Sequence, residues 1–241
     1  MPFLHKIFTL PTNFPDEFPF TLPVFAGGIN LDFRTNVTFF VGENGSGKST
    51  LLEAIAGKCE FNLSGGNRNN RYNYRETESE LVRFLKLSWS PKVTTGFFMR
   101  AESFFNFASY IDEMAQEFGP DIFRAYGGRS LHQQSHGEAF FSLFTHRFEQ
   151  GIYLLDEPEA ALSPQKQLAF LSIIHELETS GEAQLIIATH SPILLSYPGA
   201  TIYSFDDDAI TPIQYEDTEP YKLTKSFLNS PEQYFRFLFA E

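Results

Sequence analysis

One cysteine, Cys59, stands in 241 residues, which excludes an intrachain disulfide and any zinc site built from several cysteines. Such usage fits a reducing compartment, so the cytoplasm is the expected location. Positive charge is scarce as well: 18 Lys and Arg face 30 Asp and Glu, for a formal net charge of −12. A broad electropositive face for nucleic acid or anionic lipid is thereby excluded, and any nucleic-acid contact has to be local or come through a partner. Long apolar runs are also missing. No uninterrupted stretch of about 18 apolar residues occurs, and Met1-Pro2-Phe3-Leu4-His5-Lys6 lacks a basic segment leading into one, so the expectation is a chain neither secreted nor inserted in a membrane. Phenylalanine, by contrast, is abundant at 28 residues. A chain of this length and 42% hydrophobic content can bury a sizeable core as one domain over 1–241, with most Phe filling that core or covering a partner surface.

The most informative stretch is Gly42-Glu43-Asn44-Gly45-Ser46-Gly47-Lys48-Ser49-Thr50, which fits the phosphate-binding pattern G-x-x-x-x-G-K-[ST]. Val37-Thr38-Phe39-Phe40-Val41 before it reads as a buried strand, and Leu51 to Ala56 after it as a helix. Glycines let this loop curl so that successive N–H groups face phosphate oxygens, and the helix start adds partial positive charge. Lys48 is expected to reach the β- and γ-phosphates of a nucleotide and the Ser49 hydroxyl to ligate Mg²⁺.

Residues 3 to 10 alternate as a strand, and the proline-rich segment from Pro11 to Pro23 reads as an extended, ordered loop. Asn30 to Phe33 reads as running into the strand that delivers the loop. Phe20 or Phe25 stacks on adenine or, the commoner outcome for Phe, belongs to the core. Ser64 to Arg75 is polar and Gly- and Asn-rich, with three arginines interleaved with two tyrosines: a surface loop, and the one stretch suited to gripping nucleic acid. Glu78 to Leu87 reads as a short helix, Thr95 to Arg100 as a buried strand, and Glu102 to Phe118 as a helix stopped by Gly119-Pro120. Arg100 and Glu102, at that strand's carboxyl end, face a metal or attacking water, or else cap or bridge locally.

Ser135-His136-Gly137 leads into an apolar helix, so its free N–H groups and the Ser135 hydroxyl form a second terminus suited to an anion. His132 and His136 have the spacing of a metal pair, but the Glu of His-Glu-x-x-His is absent. Ile152 to Leu155 is an apolar strand running into two carboxylates. Asp156 is placed to hold the Mg²⁺ shell, and Glu157 to accept a proton from, or orient, the water that attacks a γ-phosphate. Ala183 to Thr189 is a third buried strand ending at His190, which can hydrogen-bond a γ-phosphate. Asp206-Asp207-Asp208 reads as a solvated turn, and Leu223 to Phe239 as apolar-faced helices packing back on the domain.

These segments together resemble the ABC-type ATPases, and among them the short AAA family ATPases related to the heads of RecF and SMC proteins rather than a transporter subunit. Gly42 to Ser49 is similar to Walker A and Leu154 to Pro158 to Walker B with its catalytic glutamate. Ala161-Leu162-Ser163 resembles the D-loop, His190 the switch histidine, and Ser135-His136-Gly137-Glu138 the signature Ser-Gly-Gly-Gln, with His136 and Glu138 as departures. The glutamine expected after the second strand is replaced by Arg100 or Glu102. The resemblance implies an α/β P-loop fold: a mixed, largely parallel central sheet flanked by helices, a β-rich N-terminal part, and a helical signature subregion at about 76–150. It also implies Mg-ATP as substrate and a head-to-tail homodimer sandwiching two ATP molecules. The rivals are a nucleotide-gated sensor of a partner protein with little turnover, a P-loop kinase, and the ATPase subunit of a DNA-repair or defence complex.

Overall fold

The three strands that carry the site are apolar almost throughout, because both faces of their sheet are covered. In a computed structural model, which describes residues 1–10, 13–68, 79–101, 104–134, 136–147 and 150–239 (without the side chains of 136 and 145–147), every residue of Val37–Val41, Gly151–Asp156 and Ala183–Ala188 is buried. Alternate residues point to opposite faces. Val37, Phe39, Val41, Tyr153, Leu155, Leu185 and Ile187 join one hydrophobic cluster, whereas Phe40, Ile152, Leu154, Ile186 and Ala188 join another. Two-sided burial of this kind is what favours continuous apolar strands in parallel sheets, and each fully buried Leu, Ile or Phe contributes about 1.5–3 kcal/mol.

In chain order the strands are β1 (Leu4–Thr9), β2 (Asn30–Asp32), β3 (Val37–Val41), β4 (Leu85–Trp89), β5 (Gly96–Arg100), β6 (Gly151–Asp156), β7 (Ala183–Ala188), β8 (Thr201–Ser204) and β9 (Thr211–Ile213). A six-stranded sheet runs in the order β5-β6-β7-β3-β8-β9, parallel except for β9, and a three-stranded antiparallel sheet runs β2-β1-β4. The mixed, largely parallel sheet and the β-rich N-terminal part are therefore present. A side-chain amide joins the two sheets: fully buried Gln184 of β7 donates to the Leu4 carbonyl (3.0 Å) and accepts the Leu4 N–H (2.8 Å). It satisfies both backbone polar groups of Leu4.

Helices α1 (Lys48–Lys58), α2 (Phe104–Phe118), α3 (His136–Arg147) and α4 (Pro164–Ser180) flank the large sheet, α1 on one face and the other three on the opposite one. Two segments differ from expectation. Of Glu78 to Leu87, Leu81–Phe84 is helical, Glu78 lies outside the described residues, and Leu85 onward is a strand paired with β1. The alternation Leu85-Lys86-Leu87-Ser88-Trp89 has the period of a strand, and pairing with β1 decides it. Likewise Asn30–Asp32 pairs with β1 in the small sheet, and residues 33–36 separate it from β3.

The chain's last helices, α5 (Glu219–Asn229) and α6 (Pro231–Leu238), form where expected but do not bury their apolar faces on the domain. Leu228 is 70% and Phe237 85% exposed. The break at Ser230-Pro231 folds them against each other instead, with Phe227 edge-on to Tyr234 and Phe235.

Cys59 closes α1 under the N-terminal sheet, and burial pushes its thiol up to about 12. The thiolate is the reactive form. Relative to an ordinary thiol, its modification at pH 8 in the native chain is expected to be slower by roughly 10³-fold, with full reactivity in denaturant. Titration with an aromatic disulfide reagent checks this, and rapid native labelling would show that Cys59 is accessible.

Candidate functional site

Parallel strands bring the carboxyl ends of β3, β5, β6, β7 and β8 to one edge, the usual place for ligands in open α/β sheets. The loop 42–47 follows β3, Arg100 ends β5, Asp156 ends β6, His190 follows β7 and Asp206 follows β8. Two glycines make the loop possible. Gly47 has φ +106, and a Cβ there would press on the Phe25 ring at 3.0 Å; Gly42 has φ +151, with Asp206 and Phe205 equally close. Phe25 is thus the floor of the loop, and Phe20 stacks on Phe14 (4.8 Å) inside the core. Both serve packing, so the adenine-stacking alternative finds no support in their placement.

Lys48 starts α1 at only 4% exposure, and its ammonium donates to the carbonyls of Gly42 (2.6 Å) and Glu43 (2.8 Å). Burial lowers its pKa against the pull of Glu157, Asp156, Asp206 and Glu159. The Ser49 hydroxyl donates to Asp156 Oδ1 (3.0 Å), and Thr50 follows it in the first turn of α1. Asp156 is 4% exposed, and burial raises its pKa against the effects of Arg100 and Ser49. Ser49, Arg100, Ala101, Asp156 and Glu157 line a cavity of about 230 Å³. Glu43, Asn44, Gly45 and Ser46 line another of about 540 Å³ with Val24, Phe205 and Asp206.

Glu157 takes a left-handed backbone (φ 51, ψ 51), and its N–H extends the ladder to the Ala188 carbonyl (2.9 Å). For a non-glycine residue this conformation costs about 1–3 kcal/mol, a strain common at functional sites. It leaves the carboxylate 45% exposed, 3.8 Å from His190 Nε2. Burial, then the Lys48 charge, lowers the His190 pKa, so its imidazole is neutral at neutral pH. Buried polar atoms normally find partners. Among the described residues, Ser46 Oγ, Glu159 Oε2 and His190 Nε2 are buried without one, all around this loop.

Three residues escaped sequence reasoning. Asp206, read as part of a solvated turn, is exposed like Asp207 and Asp208 but also accepts the Glu43 N–H (2.7 Å) and braces the loop. Glu159 accepts the His190 N–H (2.6 Å) and fixes the turn that presents the imidazole. Glu53 pairs with Arg100. Only Glu53 had a signal, its position four residues after Ser49 on the same helix face.

The second anion terminus is seen in part. Ser135 and Glu102 lie outside the described residues, as do Arg71, Tyr72, Tyr74 and Arg75. Gly137 is buried in the first turn of α3 beneath the Lys166 side chain. His132 bonds Ser109 (2.9 Å) and packs on Phe105. Among the described residues no group of three or more His, Cys, Asp and Glu forms a metal cage. Mg²⁺, which takes few protein oxygens and completes its shell with phosphates and water, fits the hard oxygens of Ser49 and Asp156 that meet at the smaller cavity.

Two family descriptions match this chain: "AAA domain" over residues 23–95, and "AAA domain, putative AbiEii toxin, Type IV TA system" over 129–196. The first takes in the loop and α1; the second takes in Gly137, Asp156, Glu157 and His190. Both matches are to AAA domains, and with the strand–loop–helix fold they support an ABC/AAA-type P-loop family. No curated protein matches it in sequence. Its fold is similar to that of cbiO1 from Clostridium perfringens, part of the ABC transporter complex cbiONQ, at 16% identity over 97% of this chain and 98% of that one (TM-score 0.57). The ATP-binding cassette MJ1267 of an ABC transporter matches at 18% identity over 97% and 99% of the two chains (TM-score 0.50). At such identities these likenesses show the fold alone. No helix of this chain among the described residues is long and apolar enough to cross a membrane.

Proposed function

We propose that the chain, acting as a single ATPase domain in the cytoplasm, binds Mg-ATP and hydrolyses it to ADP and phosphate, and that its nucleotide state controls head-to-tail pairing of two copies. The observation that carries this reading is the convergence of Lys48, Ser49, Asp156, Glu157 and His190 on one sheet edge, where Ser49, Asp156 and Glu157 line a small cavity. Lys48 exchanges its carbonyl partners for β- and γ-phosphate oxygens, and the loop N–H groups neutralise the phosphates further. Ser49 and Asp156 would hold Mg²⁺, which would supply positive charge to offset that of the phosphates beside so many carboxylates. Half-exposed Glu157 orients the attacking water and takes its proton. Neutral His190, held by Glu159, donates a hydrogen bond to the γ-phosphate.

A sensor with little turnover is the second reading, and Arg100 on Asp156 favours it, since a fixed cation already occupies one carboxylate oxygen. The description matched at 129–196 names a type IV TA system, in keeping with an ATPase that serves a defence complex through a protein partner. Phosphate release from ATP with no acceptor present separates hydrolysis from kinase action and from sensing. Repeating the assay with DNA or RNA at stated salt reads any nucleic-acid coupling.

For pairing, Gly137→Asp is the informative variant. If Ser135 and Gly137 face the nucleotide of the second copy, the new carboxylate meets its γ-phosphate: ATP binding survives and turnover is lost. A Cβ here displaces only the flexible end of Lys166, so Gly137→Ala is expected to keep most of its turnover. Normal turnover of the Asp variant would make this segment merely a helix start.

A further inference from the structure

Where the resemblance leads one to expect a glutamine, the sheet presents a cation inside the candidate metal site. Arg100 and Asp156 are register partners on adjacent parallel strands, so their side chains leave the same face. Ser49 and Glu53 share a face of α1. The four are linked in a row: Ser49 Oγ donates to Asp156 Oδ1 (3.0 Å), Arg100 Nε donates to Asp156 Oδ2 (3.2 Å), and the other end of the guanidinium pairs with Glu53. The Arg100 side chain is 17% exposed, that of Glu53 24% and that of Asp156 5%, so water screens these charges weakly.

We propose that Arg100 is a resident cation of the metal site, one that a divalent ion must displace from Asp156 and that Glu53 then retains. An ion held by Ser49 and Asp156 would meet the guanidinium across a single carboxylate, and two positive centres that close repel strongly in a buried setting. Release from Asp156 restores that carboxylate to the ion, while the Glu53 pair keeps Arg100 from being left buried without a counter-charge. The nucleotide-free chain therefore binds divalent ions poorly, and the negative phosphates of ATP are needed to seat one. This rests on the Mg-ATP reading only in taking Ser49 and Asp156 as the ligands.

Mn²⁺ titration of the full-length, nucleotide-free chain, followed by electron paramagnetic resonance of the free ion, tests the proposal without activity. Arg100→Ala is expected to bind Mn²⁺ about tenfold more tightly than wild type, or more, because a unit charge beside the ion is gone. Arg100→Lys, which keeps the charge, stays within about threefold of wild type by the same electrostatic argument. The gain disappears when Asp156→Ala is added to Arg100→Ala. Should Arg100→Ala not fold, Arg100→Gln carries the same expectation. Affinity unchanged or lowered in the charge-removing variant, or a gain that survives loss of Asp156, overturns the proposal. ATP binding to wild type is measured alongside, and its absence would remove the ATPase reading while leaving the Mn²⁺ result to stand or fall by itself.

Discussion

Glu157→Gln is expected to bind Mg-ATP like wild type and to hydrolyse it more slowly by roughly 10²–10⁴-fold, the usual worth of general-base assistance. Gln matches Glu in size and still orients a water by hydrogen bonding, but its amide takes no proton. The left-handed backbone at 157 suits neither side chain better, and the side chain is half exposed, so the two proteins should unfold at nearly the same temperature. Because unhydrolysed γ-phosphates would hold two copies together, the variant should accumulate as a dimer in ATP and return to monomer in ADP. Single-turnover phosphate release with light scattering in each nucleotide reads both effects. One mass in both nucleotides would sink the sandwich arrangement for this chain acting alone, and full turnover would move the base elsewhere.

Lys48→Ala should cost ATP affinity by roughly 10²–10⁴-fold, the loss of charge-assisted contacts to two phosphates at about 1.5–3 kcal/mol each. The buried ammonium is also the only residue of the P-loop motif that offsets the acids of this edge: Glu157, Asp156, Asp206 and Glu159 all act on it. Without it a polyanion meets a wall of carboxylates, so the loss should grow when Mg²⁺ is withheld. Calorimetric titration of ATP, with and without Mg²⁺, measures this. Folding should survive, since the variant gives up two hydrogen bonds to loop carbonyls together with the cost of burying a charge. Unchanged affinity would remove the P-loop assignment.

Much of the site was legible because its chemistry is written locally. Gly42 to Ser49 between an apolar strand and a helix, Asp156-Glu157 after a second strand and His190 after a third each announce themselves within ten residues, since strand ends at one sheet edge are where such groups belong. Asp206 and Glu159 were not legible. Their partners, the Glu43 and His190 N–H groups, lie 163 and 31 residues away, and nothing in a short acidic run distinguishes a brace from a solvated turn. The C-terminal helices failed differently. Amphipathic periodicity foretold helices over Leu223 to Phe239 but could not say what would cover them; they form at Glu219–Asn229 and Pro231–Leu238, and Phe237 and Leu238 remain outside.

Local order alone thus sufficed to point to the glycine loop, the paired acids, the histidine after β7 and the apolar strands, because glycine conformations, side-chain periodicity and strand–loop–helix succession are properties of short segments. Strand order, by contrast, was decided by packing. Placing β7 between β6 and β3 sets His190 between the acids and the loop, and placing β5 beside β6 sets Arg100 on Asp156. Neighbourhood in a sheet is chosen by which faces bury together and which buried charges find partners, and those are relations between residues far apart in the chain.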